Sequence, residues 1–147
     1  MTIPGQPIDI LLVEDDPGDE LMTREAFEDN KIGNTLHVVR DGQEALDFLF
    51  QQGEHTAAPR PDLVLLDLNL PKYSGRQVLA KIRADENLCT MPVIILTTSS
   101  AEDDIMSSYR LFANAYVTKP VELDQFVGAI NKIEDFYFHV VRLPRHR

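Results

Sequence analysis

The sequence has a single cysteine, Cys89, in 147 residues. No internal disulfide can form, and such cysteine usage fits a reducing compartment. No apolar run approaches the ~20 residues of a membrane-spanning helix. The opening stretch, MTIPGQP, has neither a basic start nor an apolar core, so it does not read as a secretory leader. Together these absences lead us to expect a cytoplasmic protein. Positive charge is scarce as well: 14 Lys and Arg stand against 24 Asp and Glu, for a formal net charge of −10. Binding to nucleic acid requires cations that neutralise phosphates, so neither nucleic acid nor an anionic membrane is an expected partner. The closing RLPRHR reads as a solubilising end rather than a DNA contact. His37, His55, His139 and His146 lack zinc-ligand spacing. Cys89 falls in an expected loop with no basic cluster to activate it.

What is present is ordinary globular material, 44% hydrophobic and 26% charged. A chain of this length makes one domain, buries roughly 68–70% of its unfolded surface and needs no staple. Short runs rich in Val, Ile and Leu occur at Ile8–Val13, Thr35–Val39, Leu63–Leu66, Val93–Leu96 and Ala115–Val117. They show little polar alternation, the mark of strands covered on both faces in a parallel sheet. Helical patterns separate them. The first spans Pro17–Asn30, with proline at the favoured first position. The second begins at Asp41, with Glu44 three residues on in the manner of a capping box. The third carries Val78, Leu79 and Ile82. The fourth starts near Ser99, with Glu102 as its cap-like partner, and places Ile105, Tyr109 and Phe112 on one face. The fifth carries Leu123, Phe126, Val127, Ile130 and Ile133. Five strand–helix units predict an α/β fold: a doubly wound (βα)5 five-stranded parallel sheet. Loops are expected at Gln51–Pro61 and Asp85–Met91.

Ligands of open α/β sheets bind outside the carboxyl ends of the strands. The first strand delivers Glu14, Asp15 and Asp16 there, and the third delivers Asp67. The fourth delivers Thr97, Thr98, Ser99 and Ser100, and the fifth Lys119 and Pro120. Carboxylates gathered at one edge repel unless a cation compensates, and oxygen ligands with room for water suit Mg²⁺. A hard cation beside a carboxylate, a lysine and a hydroxyl is a phosphoryl-transfer constellation. An aspartate can itself accept the phosphoryl group covalently. Asp16, next to Pro17, is equally readable as a helix cap, and Ser99 and Ser100 read as caps too.

The chain resembles the receiver domain of two-component response regulators over residues 7–134. The resemblance rests on LLVEDD at Leu11–Asp16, LVLLDLNLP at Leu63–Pro71, VIILTTS at Val93–Ser99 and AYVTKP at Ala115–Pro120. The spacings, 30 residues from Asp67 to Thr97 and 22 from Thr97 to Lys119, fit that family. It implies a flavodoxin-like receiver fold with Asp67 as phosphoacceptor. Mg²⁺ would be held by Asp15, Asp67 and the backbone carbonyl of Asn69, with Glu14 acting through water. Thr97 and Lys119 would bind phosphoryl oxygens, and Tyr116 would be the aromatic switch that follows Thr97. Asn69 and Thr98 would tune access and the lifetime of the phosphorylated state. The implied partner is a sensor histidine kinase. The Gln51–Pro61 loop and the ending DFYFHVVRLP are similar to single-domain receivers paired with phytochrome kinases.

The whole chain is therefore expected to be one receiver domain with a core at 7–134 and an extension at 135–147. The apolar Phe136, Tyr137, Phe138, Val140 and Val141 of that extension could extend the last helix onto its own core or form a patch that a partner covers; the second reading is favoured, and with the fifth strand and helix it suggests a homodimer. With no room for a DNA-binding output domain, the signal would pass by protein contact or phosphorelay. The expectation is a switch and not a conventional enzyme, beyond catalysing its own phosphotransfer and a weak autodephosphorylation. A Mg²⁺ phosphohydrolase of the haloacid dehalogenase type would need an acid two residues after Asp67, where Asn69 stands. A nucleotide- or flavin-binding module would need a Gly-rich loop after the first strand, where EDDPGD stands. A receiver that signals without phosphorylation usually lacks the acceptor, an acid or the lysine, and all are present.

Overall fold

Strands with apolar residues at every position must be covered on both faces. The computed structural model, which describes residues 8–30, 34–68, 70, 72–97, 113 and 115–118, shows them so. Its elements in order are β1 (Ile8–Val13), α1 (Pro17–Asn30), β2 (Asn34–Val39), α2 (Gly42–Phe50), β3 (Leu63–Asp67), α3 (Gly75–Ala84), β4 (Val93–Thr97) and β5 (Ala115–Thr118). The five strands form one sheet in the order β2-β1-β3-β4-β5, and every pairing is parallel. Leu11, Val13, Val64, Leu66 and Ile95 belong to a core shared with Leu46 and Phe48 of α2 and Leu79 and Ile82 of α3. Ile10, Leu12, Leu63, Leu65 and Ile94 alternate with them along the strands and are equally inaccessible. Leu79 and Ile82 are fully buried, so Leu79→Ala or Ile82→Ala is expected to destabilise the fold by about 2–5 kcal/mol. The measurement is the urea midpoint, which should fall with an unchanged slope.

Local signals set the helix ends. Asp41 begins α2: its Oδ1 accepts the Glu44 N–H at 2.7 Å. The reciprocal half of that box is displaced, because Glu44 Oε1 accepts the N–H of Arg40 at 3.1 Å. Ser74 begins α3 with a complete capping box, Oγ accepting from Gln77 N–H at 3.2 Å and Gln77 Oε1 from Ser74 N–H at 2.9 Å. Asp16 takes the capping role at α1, where Oδ1 accepts the Gly18 N–H at 2.8 Å. The Gln51–Pro61 loop contains a single 3-10 turn at Gly53–His55. It is tied to α2 by the Gln52 N–H on the Asp47 carbonyl (2.9 Å) and by His55 Nε2 on Glu44 Oε2 (3.1 Å). The rings of His37, Phe48 and His55 pack in sequence with centroids 5.4 and 5.3 Å apart.

Four strands run one residue beyond the apolar runs that predict them: β2 at its start, and β3, β4 and β5 at their ends. Ladder bonds belong to the backbone, so pairing continues past the last apolar side chain; Asp67 still pairs with Leu96, and Thr97 with Thr118. The expected fourth and fifth helices, and the extension at 135–147, lie outside the described residues. Among the described residues no helix is long and apolar enough to cross a membrane.

One ion-pair network joins α1 to the end of β2. Glu20 receives Arg40 Nη1, at 2.6 Å, and Arg24 Nε, at 3.1 Å. The Arg40 hydrogen bond, aided by Arg24, holds the Glu20 carboxyl below its ordinary value of 4.5, against the opposing effect of burial. A depressed folded-state pKa adds stability that is present above the unfolded value and lost as pH falls through the folded one. Both arginines are about half exposed, so the contribution is at most about 1 kcal/mol and salt-sensitive. The stability gap between the native chain and Glu20→Gln should be constant near neutrality and close below about pH 4.5. Denaturant melts at several pH values measure it.

Candidate functional site

The sheet register decides which side chains meet. Val13 pairs with Leu66, so the residues after Val13 come level with Asp67. Glu14 extends the ladder by one step, its N–H donating to the Val39 carbonyl at 3.0 Å. On the other side Leu68 N–H reaches the Leu96 carbonyl at 3.2 Å, which fixes the exit of β3. As a result Glu14, Asp15 and Asp67 each present a carboxylate oxygen within 4.8 Å of the others. Glu14 is 0% and Asp67 4% exposed, while Asp15 faces solvent. Glu14 Oε2 also accepts the Asp16 N–H at 3.3 Å, which orients the carboxylate and turns the chain into α1.

Like charges at such a separation repel by roughly 3–4 kcal/mol per pair at an effective dielectric of about 20. A bound cation removes that cost. The donor set is entirely carboxylate oxygen, which selects a hard divalent ion over zinc or copper. Two enclosed carboxylates and one open to solvent leave room for the waters that Mg²⁺ retains. The residues present therefore fit a Mg²⁺-type ion. A separate cavity of about 500 Å³ lies between α2 and α3, lined by Leu46, Phe50, Tyr73, Lys81 and others. None of the three carboxylates lines it.

Three expected site residues, Glu14, Asp15 and Asp67, thus come together. Thr97 ends β4 one residue beyond the partner of Asp67, so its backbone stands at the same sheet edge; its side chain is outside the described residues. The backbone of Tyr116 pairs with Ile95, and its side chain is likewise outside them. Lys119 follows Thr118 at the end of β5 in the sequence, and Lys119, Asn69 and Thr98 all lie outside the described residues. Sequence reasoning missed Gly75. Its N–H donates to the Leu68 carbonyl at 3.0 Å, closing the loop that leaves Asp67. A Cβ at Gly75 would run into the Asp67 carbonyl oxygen and lie 2.7 Å from Leu68 Cα. The available signal was a glycine directly after a serine cap, at the start of the third helical pattern.

Comparison with known proteins agrees with this geometry. Residues 10–131 match the response regulator receiver domain. Response regulator Rcp1 of Synechocystis sp. (strain ATCC 27184 / PCC 6803 / Kazusa) is 46% identical over 135 residues, covering 92% of each chain. A solved Mn²⁺-bound form of Rcp1 superposes with a TM-score of 0.76 at 45% identity, over 95% of this chain and 100% of the other. The phosphorylated cyanobacterial phytochrome response regulator RcpA gives 0.76 at 45% identity, over 95% and 99%.

Proposed function

The chain belongs to the response regulator receiver domain family, whose members are signalling switches, and on that footing we propose that it is switched by phosphorylation of Asp67 within a two-component system. The observation that carries the reading is the cluster of Glu14, Asp15 and Asp67 at the carboxyl edge of the sheet, with Asp67 almost fully enclosed. Asp15, Asp67 and the Asn69 backbone carbonyl would hold Mg²⁺, with Glu14 acting through water. When bound, the ion neutralises charge on the transferring phosphoryl group. The Asp67 carboxylate oxygen forms the new P–O bond as the P–N bond of a phosphohistidine on a sensor kinase breaks. Thr97 and Lys119 receive the phosphoryl oxygens. The new dianion then draws Thr97 and Lys119 toward it, and Tyr116 follows. Because two arrangements of one fold exchange population, the outcome is a changed contact surface rather than a new structure.

The whole chain serves as one domain, with residues 135–147 and the fifth strand and helix forming a homodimer contact. The donor is a phytochrome-type histidine kinase, a reading supported by the likeness to Rcp1 and to a phytochrome response regulator. The domain is not a conventional enzyme; it catalyses its own phosphotransfer and slow autodephosphorylation, and it acts in the cytoplasm. Intact mass after incubation with acetyl phosphate and Mg²⁺ tests the chemistry. One added phosphoryl group, absent without Mg²⁺ and mapped to the peptide holding Asp67, is the expected result. Label on any other residue overturns the assignment. Light scattering on the same samples tests the dimer. Transfer from a phytochrome-type kinase, compared with an unrelated one, tests the pairing.

A further inference from the structure

The turn between β1 and α1 carries two of the three clustered carboxylates, Glu14 and Asp15. Three contacts fix its course. At its start the Glu14 N–H donates to the Val39 carbonyl of β2 at 3.0 Å. At its end the Asp16 carbonyl accepts the Glu20 N–H at 3.0 Å. Between them the Asp16 N–H meets Glu14 Oε2 at 3.3 Å. The turn is thus fastened to the end of β2 on one side and to the first turn of α1 on the other. Those two elements are also joined directly. Arg40, the residue after Val39, donates from Nη1 to Glu20 Oε1 at 2.6 Å, a charge-assisted bond of the short, strong kind. Its own backbone is held by Glu44 Oε1, which accepts the Arg40 N–H at 3.1 Å. Val39, Arg40, Glu20, Asp16 and Glu14 therefore close a ring of bonded neighbours. The Glu14 carboxylate is part of that ring, and Asp15 is the residue next to it.

We propose that Arg40 is a positioning residue for the divalent-cation site: by tying Glu20 to the end of β2 it sets where α1 begins, and so where the Glu14 and Asp15 carboxylates stand beside Asp67. The inference rests on the Asp67 site reading above and adds to it a residue that touches neither the ion nor the phosphoryl group. Groups that orient metal ligands are known to tune affinity without touching the metal. Arg24 provides the comparison. It bonds the same Glu20 carboxylate, Nε to Oε2 at 3.1 Å, but as an i,i+4 link within α1. Arg40 acts by position, not by charge. A positive side chain near the site repels a cation, so by charge alone the loss of either arginine tightens ion binding. Loss of the tie between β2 and α1 loosens it. The two effects have opposite signs, and only Arg40 makes the tie.

The test is Mn²⁺ binding to the full chain, read by electron paramagnetic resonance of the free ion. Arg40→Met keeps much of the aliphatic stem and removes the tie. It is expected to raise the Mn²⁺ dissociation constant by about three- to fivefold, the share that a half-exposed pair can hold, while still melting cooperatively. Arg24→Met removes the same charge from the same carboxylate and should leave the constant unchanged or slightly lower. Arg40→Lys keeps the charge and a donor for Glu20, and should bring binding back to within about twofold of the native chain. An Arg40→Met chain that binds as tightly as the native one overturns the proposal, as does equal weakening by Arg40→Met and Arg24→Met, or no recovery in Arg40→Lys. Loss of cooperative melting in Arg40→Met overturns it too, since Arg40 would then support the fold as a whole. A native chain that binds no Mn²⁺ overturns the site reading itself and this inference with it, a result distinct from equal binding by native and variant.

Discussion

Replacing Asp67 with asparagine is expected to abolish phosphoryl uptake and to leave the fold standing. The amide is nearly isosteric with the carboxylate, and the strand is held by its backbone: Asp67 pairs with Leu96, and Leu68 N–H reaches the Leu96 carbonyl. The amide nitrogen carries no carboxylate lone pair to attack phosphorus, so no acyl phosphate forms. Two other carboxylates lie within reach of the same donor, Glu14 and Asp15. Glu14 is fully enclosed, which leaves exposed Asp15 as the competing acceptor. Intact mass and peptide mapping of Asp67→Asn, after acetyl phosphate and Mg²⁺, distinguish the two. No added mass is the expected outcome, and label on Asp15 would move the acceptor. The same variant tests the cation site independently of phosphorylation. At ten times the dissociation constant, Mg²⁺ should stabilise the native chain by about 1.4 kcal/mol. That corresponds to a rise in melting temperature of about 3–6 °C. With one of three carboxylates gone, Asp67→Asn should rise by less than half as much.

Much of this was legible in the sequence because it depends on side-chain hydrophobicity. Runs such as Leu63–Leu66 and Val93–Leu96 can only be satisfied between two covering layers, so the central strands could be read directly. The parallel pairing then follows from helices between strands, and the convergence of Glu14, Asp15 and Asp67 follows from parallel pairing. Strand ends were less legible. Asp67 and Thr97 belong to the ladder through backbone bonds that polar side chains do not advertise. The helix caps divide in the same way. Asp41 and Glu44 announce α2, yet Glu44 bonds back to Arg40 rather than to Asp41, a detail of backbone direction at the end of β2. Ser74 and Gln77 carried a full capping box that the apolar pattern of α3 overshadowed.

The close backbone approaches at the starts of α2 and α3 were the least legible features. Gly42 and Gly75 carry no hydrophobic or charge signal, and the need for glycine appears only when Gly42 is seen against Tyr73 and Gly75 against Asp67 and Leu68. Asp41 and Lys72 are 31 positions apart in the sequence, and only the fold makes them neighbours. Chemistry-bearing residues at strand ends are read from type and order, whereas the residues that hold them in place are read from space alone.

Space alone also governs the second large effect, that of Gly75→Ala. Alanine is a better helix former than glycine, by about 1 kcal/mol in an exposed helix interior, so propensity predicts a gain. At Gly75 the opposite is expected. The new methyl group would enter the Asp67 carbonyl oxygen, and it would sit 2.7 Å from Leu68 Cα and 3.0 Å from the Asp67 carbonyl carbon. All three are backbone atoms of the strand end that carries Asp67, so α3 has to move off β3. Overpacking of this kind costs about 1–3 kcal/mol, which lowers the melting temperature by roughly 2–12 °C. Gly18→Ala is the matched control. It too lies in the first turn of a helix, but its Cβ would meet only the Asp16 Oδ1, at 3.3 Å. That variant should be neutral or slightly stabilising. In thermal melts, therefore, only Gly75→Ala should fall below the native chain, from the same substitution. Because α3 displaces the exit of β3, Gly75→Ala should also slow labelling of Asp67 by acetyl phosphate, while Gly18→Ala keeps the native rate. Equal melting temperatures for the two would mean that the α3–β3 junction yields more readily than its backbone packing implies.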